Sequence, residues 1–244
     1  ERREAGLFIA EGLQAAREAL ASHGAPFIKS LYVTSNGLLK LSDFDLNEVD
    51  VIEVTDPVMS EMTSTVTPQG ILALCVVPRR EVSELEALAE KKSARVIYLH
   101  EIQDPGNAGT ILRTADAMGV DAVITSPGSV DMYSPKVVRA TAGSLWHLPL
   151  YESINFSELV GLLPQAKPLL LSSHASTSIL DLPRESSYIS VFGNEARGVD
   201  AAGLGISPTQ ITSVTVPMNG RAESLNLSAA ASIVIFTLSG PVAG

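Results

Sequence analysis

From Ala94 onward, short apolar runs alternate with segments whose apolar positions recur every three or four residues. The pattern predicts alternating strands and helices at 95–100, 108–118, 122–125, 136–144, 156–163, 169–172, 188–192, 211–216 and 224–238. Alternation of this kind implies an α/β fold with a mostly parallel sheet covered on both faces. Upstream, Leu13, Ala16, Ala19 and Leu20 lay an apolar stripe on a helix over 12–22. Strands are expected at 28–34, 51–55 and 71–77, with a short helix at 57–62. The predicted division is therefore a small α/β domain over 1–78, a charged helical linker over 79–93, and a larger α/β domain over 94–244. Arg79 and Arg80 in the linker are suited either to touching phosphate or to a solvated face.

Three polar loops interrupt this pattern at strand ends. Residues 214–236 read as a strand ending at Pro217, a turn through Asn219-Gly220, and a buried helix entered through Glu223, Ser224, Asn226 and Ser228. Capping of the helix start by Ser224 or Asn226 is one account of this cluster. Because one cap residue suffices and several polar groups are present, a floor for an anionic or nucleotide-like ligand is the other. Residues 104–113 follow the strand-like 96–100, and residues 193–198 follow the strand at 188–192. Gly- and Asn-bearing loops after three strands are how an α/β sheet builds a site at one edge.

DPGNAGTILRTADAMG (104–119), VFGNEARGV (191–199) and VPMNGRAESLNLSAAA (216–231) resemble, in order and spacing, the signature motifs of the TrmH (SpoU) branch of the SPOUT methyltransferases. The likeness spans about residues 94–238. It implies methyl transfer from S-adenosylmethionine to a ribose 2′-oxygen of rRNA or tRNA, a C-terminal trefoil knot that forms the cofactor pocket, and a homodimer. FIAEGLQAAREAL (8–20) and TSTVTPQGILALCVVP (63–78) resemble the ribosomal-protein-like substrate-binding domain that many such enzymes carry. An N-terminal domain of that kind makes rRNA the favoured target.

The resemblance assigns roles residue by residue. Asn107, Arg113, Glu195, Ser224 and Asn226 match the catalytic set. Gly193, Val216, Met218 and Leu225 match positions that contact the cofactor. Glu11, Gly12, Gln69 and Gly70 would sit at loop edges facing RNA, the plain alternative being that both glycines only make turns and Gln69 is solvated; Lys136 or Arg139 would meet phosphates. Arg113 is expected beside the target ribose, where a guanidinium can hold phosphate and polarise the 2′-hydroxyl. Its pKa above ~12 makes it a poor free base. A surface pairing with Asp116 is the plain alternative for it. Gly193 lacks a Cβ and so permits close approach of a ligand. Trp146 and Tyr133 read as core or interface residues rather than base-stacking platforms.

Composition narrows the function further. A net charge of −10 is unusual for an RNA binder, and Asp43, Asp45, Glu48, Asp50, Glu53, Asp56 and Glu61 are expected to form a solvated acidic flank turned away from nucleic acid. The chain starts at Glu1 rather than Met, which leaves room for an upstream segment able to carry positive charge. With no signal pattern and no uncharged apolar run of ~18 residues, a cytoplasmic protein without a membrane anchor is expected. The single Cys75 lies in an apolar strand and reads as a buried, inert thiol. His23, His100, His147 and His174 lack metal-ligand spacing, so no metal site is expected. P-loop, G-x-S-x-G and G-x-G-x-x-G motifs are absent, which disfavours hydrolase, NTPase and dinucleotide readings. A catalytically silent RNA-binding protein on the same scaffold is the rival reading.

Overall fold

The computed structural model describes residues 5–22 and 27–239. The chain forms two compact units, one from Glu1–Arg79 with Asp131–His147, the other from Arg80–Val130 with Leu148–Gly244. His23 lies outside the described residues.

In the first unit, β1 (Leu7–Glu11), α1 (Leu13–Ala21), β2 (Ile28–Val33), α2 (Ser35–Leu39), β3 (Val51–Glu53), α3 (Asp56–Met62) and β4 (Ile71–Val76) follow in order. Their sheet runs β1-β4-β2-β3, with β4 antiparallel to both neighbours and β2 parallel to β3. Cys75 is fully buried in β4, as its apolar setting predicts. The sequence pattern drew the boundary near Pro78, but residues 131–147 also belong to this unit. Their α4 (Pro135–Thr141) packs on β1. The cause is aromatic: Phe8 lies 5.0 Å from Tyr133 and 5.3 Å from Trp146, ring centre to ring centre. Both Tyr133 and Trp146 are buried, in keeping with the packing role expected of them.

The second unit holds seven parallel strands in the order β7-β6-β5-β10-β8-β11-β9. These are β5 (Arg95–Leu99), β6 (Ala122–Thr125), β7 (Leu150–Tyr151), β8 (Lys167–Leu171), β9 (Thr177–Ser178), β10 (Tyr188–Phe192) and β11 (Thr212–Thr215). Every residue of β6 and β10 is buried, the mark of strands covered on both faces. Val96, Tyr98, Ile124, Ile189 and Val191 join Phe156 and Leu159 of α6 (Phe156–Leu162) in one apolar cluster. The linker is a 3-10 helix, Val82–Glu90, whose Leu85 enters the same cluster. Two further helices, α5 (Pro105–Ala117) and α7 (Leu227–Ser239), pack on each other, and Thr114 Oγ1 and Ser232 Oγ meet at 3.1 Å. Small residues Ala230, Ala231 and Ala108, all buried, suit this close approach. Among the described residues no helix is long and apolar enough to cross a membrane.

The parallel order has a direct consequence for chemistry. β5 and β10 are hydrogen-bonded neighbours in register, with Leu99 opposite Phe192. Their carboxyl ends therefore stop side by side, and the loops that follow must meet.

Candidate active site

The loop after β5 turns at Glu101, which holds a positive φ of 49°. Its N–H donates to Ser126 Oγ at 2.7 Å. Asp104 then caps α5, its Oδ1 accepting the Asn107 N–H at 2.7 Å, and Pro105 occupies the first turn, where its missing N–H costs nothing.

The loop after β10 carries Glu195 to this helix start. The Glu195 carboxylate accepts from the backbone N–H of Gln103 and of Asp104, each at 3.2 Å, and from Asn107 Nδ2 at 3.3 Å. These donors stand at the N-terminus of α5, where the helix dipole favours an anion. Gly193 has a different role from the one its missing side chain suggests. A Cβ there would lie 2.8 Å from the Gly198 carbonyl carbon and from Val199 N, so the space is taken by the chain's own loop.

The third loop supplies Asn226. The sequence pattern starts the last helix at Ser224, whereas α7 begins at Leu227 with Asn226 as its cap. Asn226 Oδ1 accepts from Ser228 N–H at 2.9 Å and Ala229 N–H at 3.3 Å, and its Nδ2 donates to Asn107 Oδ1 at 3.2 Å. One side chain thus caps a helix and joins a polar network. Asn107 from the first turn of α5 and Glu195 and Asn226 from two loops form a connected chain of hydrogen bonds along one open cavity that Gln103, Asp104 and Asn194 also line.

A second cavity of about 150 Å³ lies along the third of these loops, where Ser224 and Leu225 lead to Asn226. Leu171, Ser172 and Ser173 after β8, Val216 and Met218 after β11, and Ser224, Leu225 and Ala230 line it. Three of the four residues matched to cofactor contact, Val216, Met218 and Leu225, are in this wall; Gly193 is not. Among the described residues, the backbone of 218–225 makes no hydrogen bond to other backbone groups. Apolar walls with unspent peptide groups suit a ligand with an aromatic ring and several polar edges.

Arg113 stands elsewhere. It is exposed on α5, six residues past Asn107, which is roughly 240° around and 9 Å along the axis. It lines neither cavity, and it forms no ion pair among the described residues.

In the first unit, three residues matched to RNA contact have partners within the fold. Glu11 accepts from Ser64 N and Oγ, both at 3.0 Å, and pairs with Arg139 Nη1 at 3.2 Å. Gln69 Oε1 accepts the Leu13 N–H at 2.7 Å and so caps α1. Gly12, at φ 93°, makes room for that cap, since a Cβ would meet Gln69 Oε1 at 3.0 Å. Lys136 is exposed. Pattern reading gave no sign of the Gln69 cap, because donor and acceptor lie 56 residues apart.

His100 sits at the end of β5 with Nδ1 buried and unbonded, and burial lowers its pKa. Among the described residues, no group of three His, Cys, Asp or Glu side chains is placed to hold a metal ion.

A parallel sheet with a polar network at its carboxyl edge and an apolar pocket at a neighbouring strand end defines an α/β protein of the class that binds small molecules at that edge. The chain belongs to the SpoU rRNA Methylase family, whose profile matches residues 94–236. Residues 1–73 match the MRM3-like substrate binding domain. A Bacillus subtilis relative, the 23S rRNA (guanosine(2553)-2′-O)-methyltransferase RlmP, is 32% identical over 98% of this chain and 91% of its own. The 23S rRNA (uridine(2479)-2′-O)-methyltransferase of Streptomyces viridochromogenes is 26% identical over 97% of this chain and 83% of its own. The crystal structure of an AdoMet-bound rRNA methyltransferase from Sinorhizobium meliloti superposes with a TM-score of 0.82 at 26% identity, covering 97% of this chain and 88% of that one.

Proposed function

We propose that the protein transfers a methyl group from S-adenosylmethionine to a ribose 2′-hydroxyl of RNA, with rRNA as the substrate. The observation that carries this reading is the Asn226–Asn107–Glu195 network beside a pocket walled by Val216, Met218 and Leu225. When bound, S-adenosylmethionine supplies a sulfonium methyl that an oxygen nucleophile can displace. Leu171, Ser172, Val216, Met218, Ser224 and Leu225 would hold it, the apolar side chains against its ring and the free peptide groups at its polar edges. Gly193 enters only through its backbone groups.

A ribose hydroxyl is a weak nucleophile until its proton is held or removed. Glu195 is suited to that end of the reaction because three N–H donors fix its carboxylate. Asn107 and Asn226 keep their amides oriented toward each other and leave the rim of the cavity polar. Arg113 binds the target phosphate and polarises the hydroxyl, and proton loss is completed by phosphate or solvent. Because Arg113 lies on another face of α5 from Asn107, the reading includes a homodimer in which one copy's guanidinium serves its partner's network. Ile233 and Phe236, exposed on the α7 that packs against α5, support such a face. The trefoil knot and the division of labour between an RNA-holding first unit, with Lys136 at its surface, and a catalytic second unit belong to the same proposal.

The two relatives act on rRNA by name, and the first unit matches a substrate-binding profile; both support rRNA over tRNA. Labelled S-adenosylmethionine incubated with the protein and rRNA from cells lacking the gene tests this. Incorporation is expected; label entering neither rRNA nor tRNA would favour the silent-scaffold reading.

A further inference from the structure

We propose that Asn194, with the Glu101–Arg197 pair, is a positioning device for the Glu195 carboxylate, a role that rests on reading Glu195 as a site residue. Asn194 is buried at 7% exposure and both ends of its amide are used. Its Oδ1 accepts the N–H groups of Ala196 at 3.0 Å and Arg197 at 3.1 Å, which shapes the loop on the far side of Glu195. Its Nδ2 crosses to the other loop and donates to the Glu101 carbonyl at 2.9 Å. The loop closes where the Gly198 N–H meets the Asn194 carbonyl at 2.8 Å. Glu195 is the one residue of 194–197 whose own groups are absent from this scaffold, and its side chain is the arm the scaffold presents.

The acceptor side is built with equal care. Glu101 sits at φ 49°, a conformation few non-glycine residues hold without support. Its carbonyl also accepts Gln103 Nε2 at 3.0 Å, and its Oε2 pairs with Arg197 Nη2 at 2.5 Å. Two and three residues past this turn, the Gln103 and Asp104 amides donate to Glu195. Asn194 therefore grips the residue whose strained turn precedes the donors, and Arg197 grips the same residue from the rim. A shift of about 1 Å at a reacting group can cost 10²-fold in rate. Two loops joined only through Glu195 would leave that distance free to drift.

The test uses Asn194→Asp in the full chain, which keeps an acceptor for Ala196 and Arg197 but loses the donor to Glu101. Methyl transfer would be measured for the wild type, Asn194→Asp, Glu195→Gln and the double variant, alongside amide exchange at Gln103 and Asp104. We expect kcat to fall by roughly 10- to 100-fold with KM for S-adenosylmethionine nearly unchanged, and no further loss when Asn194→Asp is added to Glu195→Gln. Exchange at both amides should quicken. Losses that multiply, or amide protection that stays at the wild-type level, would overturn the proposal. If Asn194→Asp does not fold, Arg197→Ala at the exposed rim should move the same readouts in the same direction, and unchanged values there would overturn it. If the wild type transfers no methyl group, the function reading fails, and amide exchange alone decides the positioning role.

Discussion

The Asn226 Nδ2 donates to Asn107 Oδ1 at 3.2 Å, while Asn226 Oδ1 caps α7. One carboxamide thus spends its acceptor on helix stability and its donor on the site, so the two functions can be separated. Asn226→Asp retains a capping oxygen and places a negative charge at a helix N-terminus, both favourable. It loses the donor to Asn107. Thermal stability should be unchanged or slightly raised, and methyl transfer should drop by roughly 10²-fold. Asn226→Ala should lose both, with about 1 kcal/mol of stability gone as well. Calorimetric melting and initial rates on the same samples check this.

Arg113→Ala and Arg113→Lys should leave the melting temperature in place, because the guanidinium is exposed and forms no ion pair among the described residues. Turnover should collapse in both, since a lysine cannot reproduce a planar bidentate contact. Mixing Arg113→Ala with Glu195→Gln protein should partly restore activity if one copy's arginine serves its partner. Absence of any rescue would count against the shared site.

The two basic residues near α4 should behave differently. The Glu11 side chain is 6% exposed and its pairing cation is Arg139. Arg139→Ala leaves that carboxylate buried, with Ser64 its remaining donor among the described residues, and should destabilise the fold by about 1–3 kcal/mol. Lys136→Ala should leave stability alone and raise KM for RNA. Urea unfolding and RNA titration separate the two.

Much of this architecture could be read from the chain alone, because parallel strands buried on both faces leave nearly continuous apolar runs such as 188–192, broken only by Ser190. The strand ends that build the site were readable for the same reason. Other features depend on contacts the chain makes only after folding. Nothing local in 131–147 announces that Phe8 will gather Tyr133 and Trp146. The strands β7 and β9 have two residues each, too few to show a period. Ser224 looked like a helix start because Ser-Leu-Asn is compatible with a helix, yet Asn226, with an acceptor two and three residues ahead of its partners, caps it. Gly193 showed that a missing Cβ signals close approach without saying by what.

Burial pushes the Cys75 thiol up to about 12 from 9.0, and the Tyr98 hydroxyl up to about 12 from 10.0. Folding therefore favours the protonated forms. Above pH ~9 the unfolded chain releases these protons first, so it binds fewer than the native state and stability falls as pH rises toward 12. The loss should reach a few kcal/mol, on the order expected for shifts of this size. Cys75→Ala should flatten the alkaline limb of a stability–pH curve, while native Cys75 should resist thiol reagents at pH 8.

Methyl transfer can be located by its product. Ribosomal RNA treated with the protein and methyl-labelled S-adenosylmethionine would be digested to nucleosides and separated. The label should appear in a single 2′-O-methylnucleoside, and its rate of incorporation should fall steeply, to a small but measurable residue, with Glu195→Gln and with Arg113→Ala. Label on a base, or equal incorporation by both variants, would contradict a site in which Glu195 and its amide donors prepare a ribose hydroxyl.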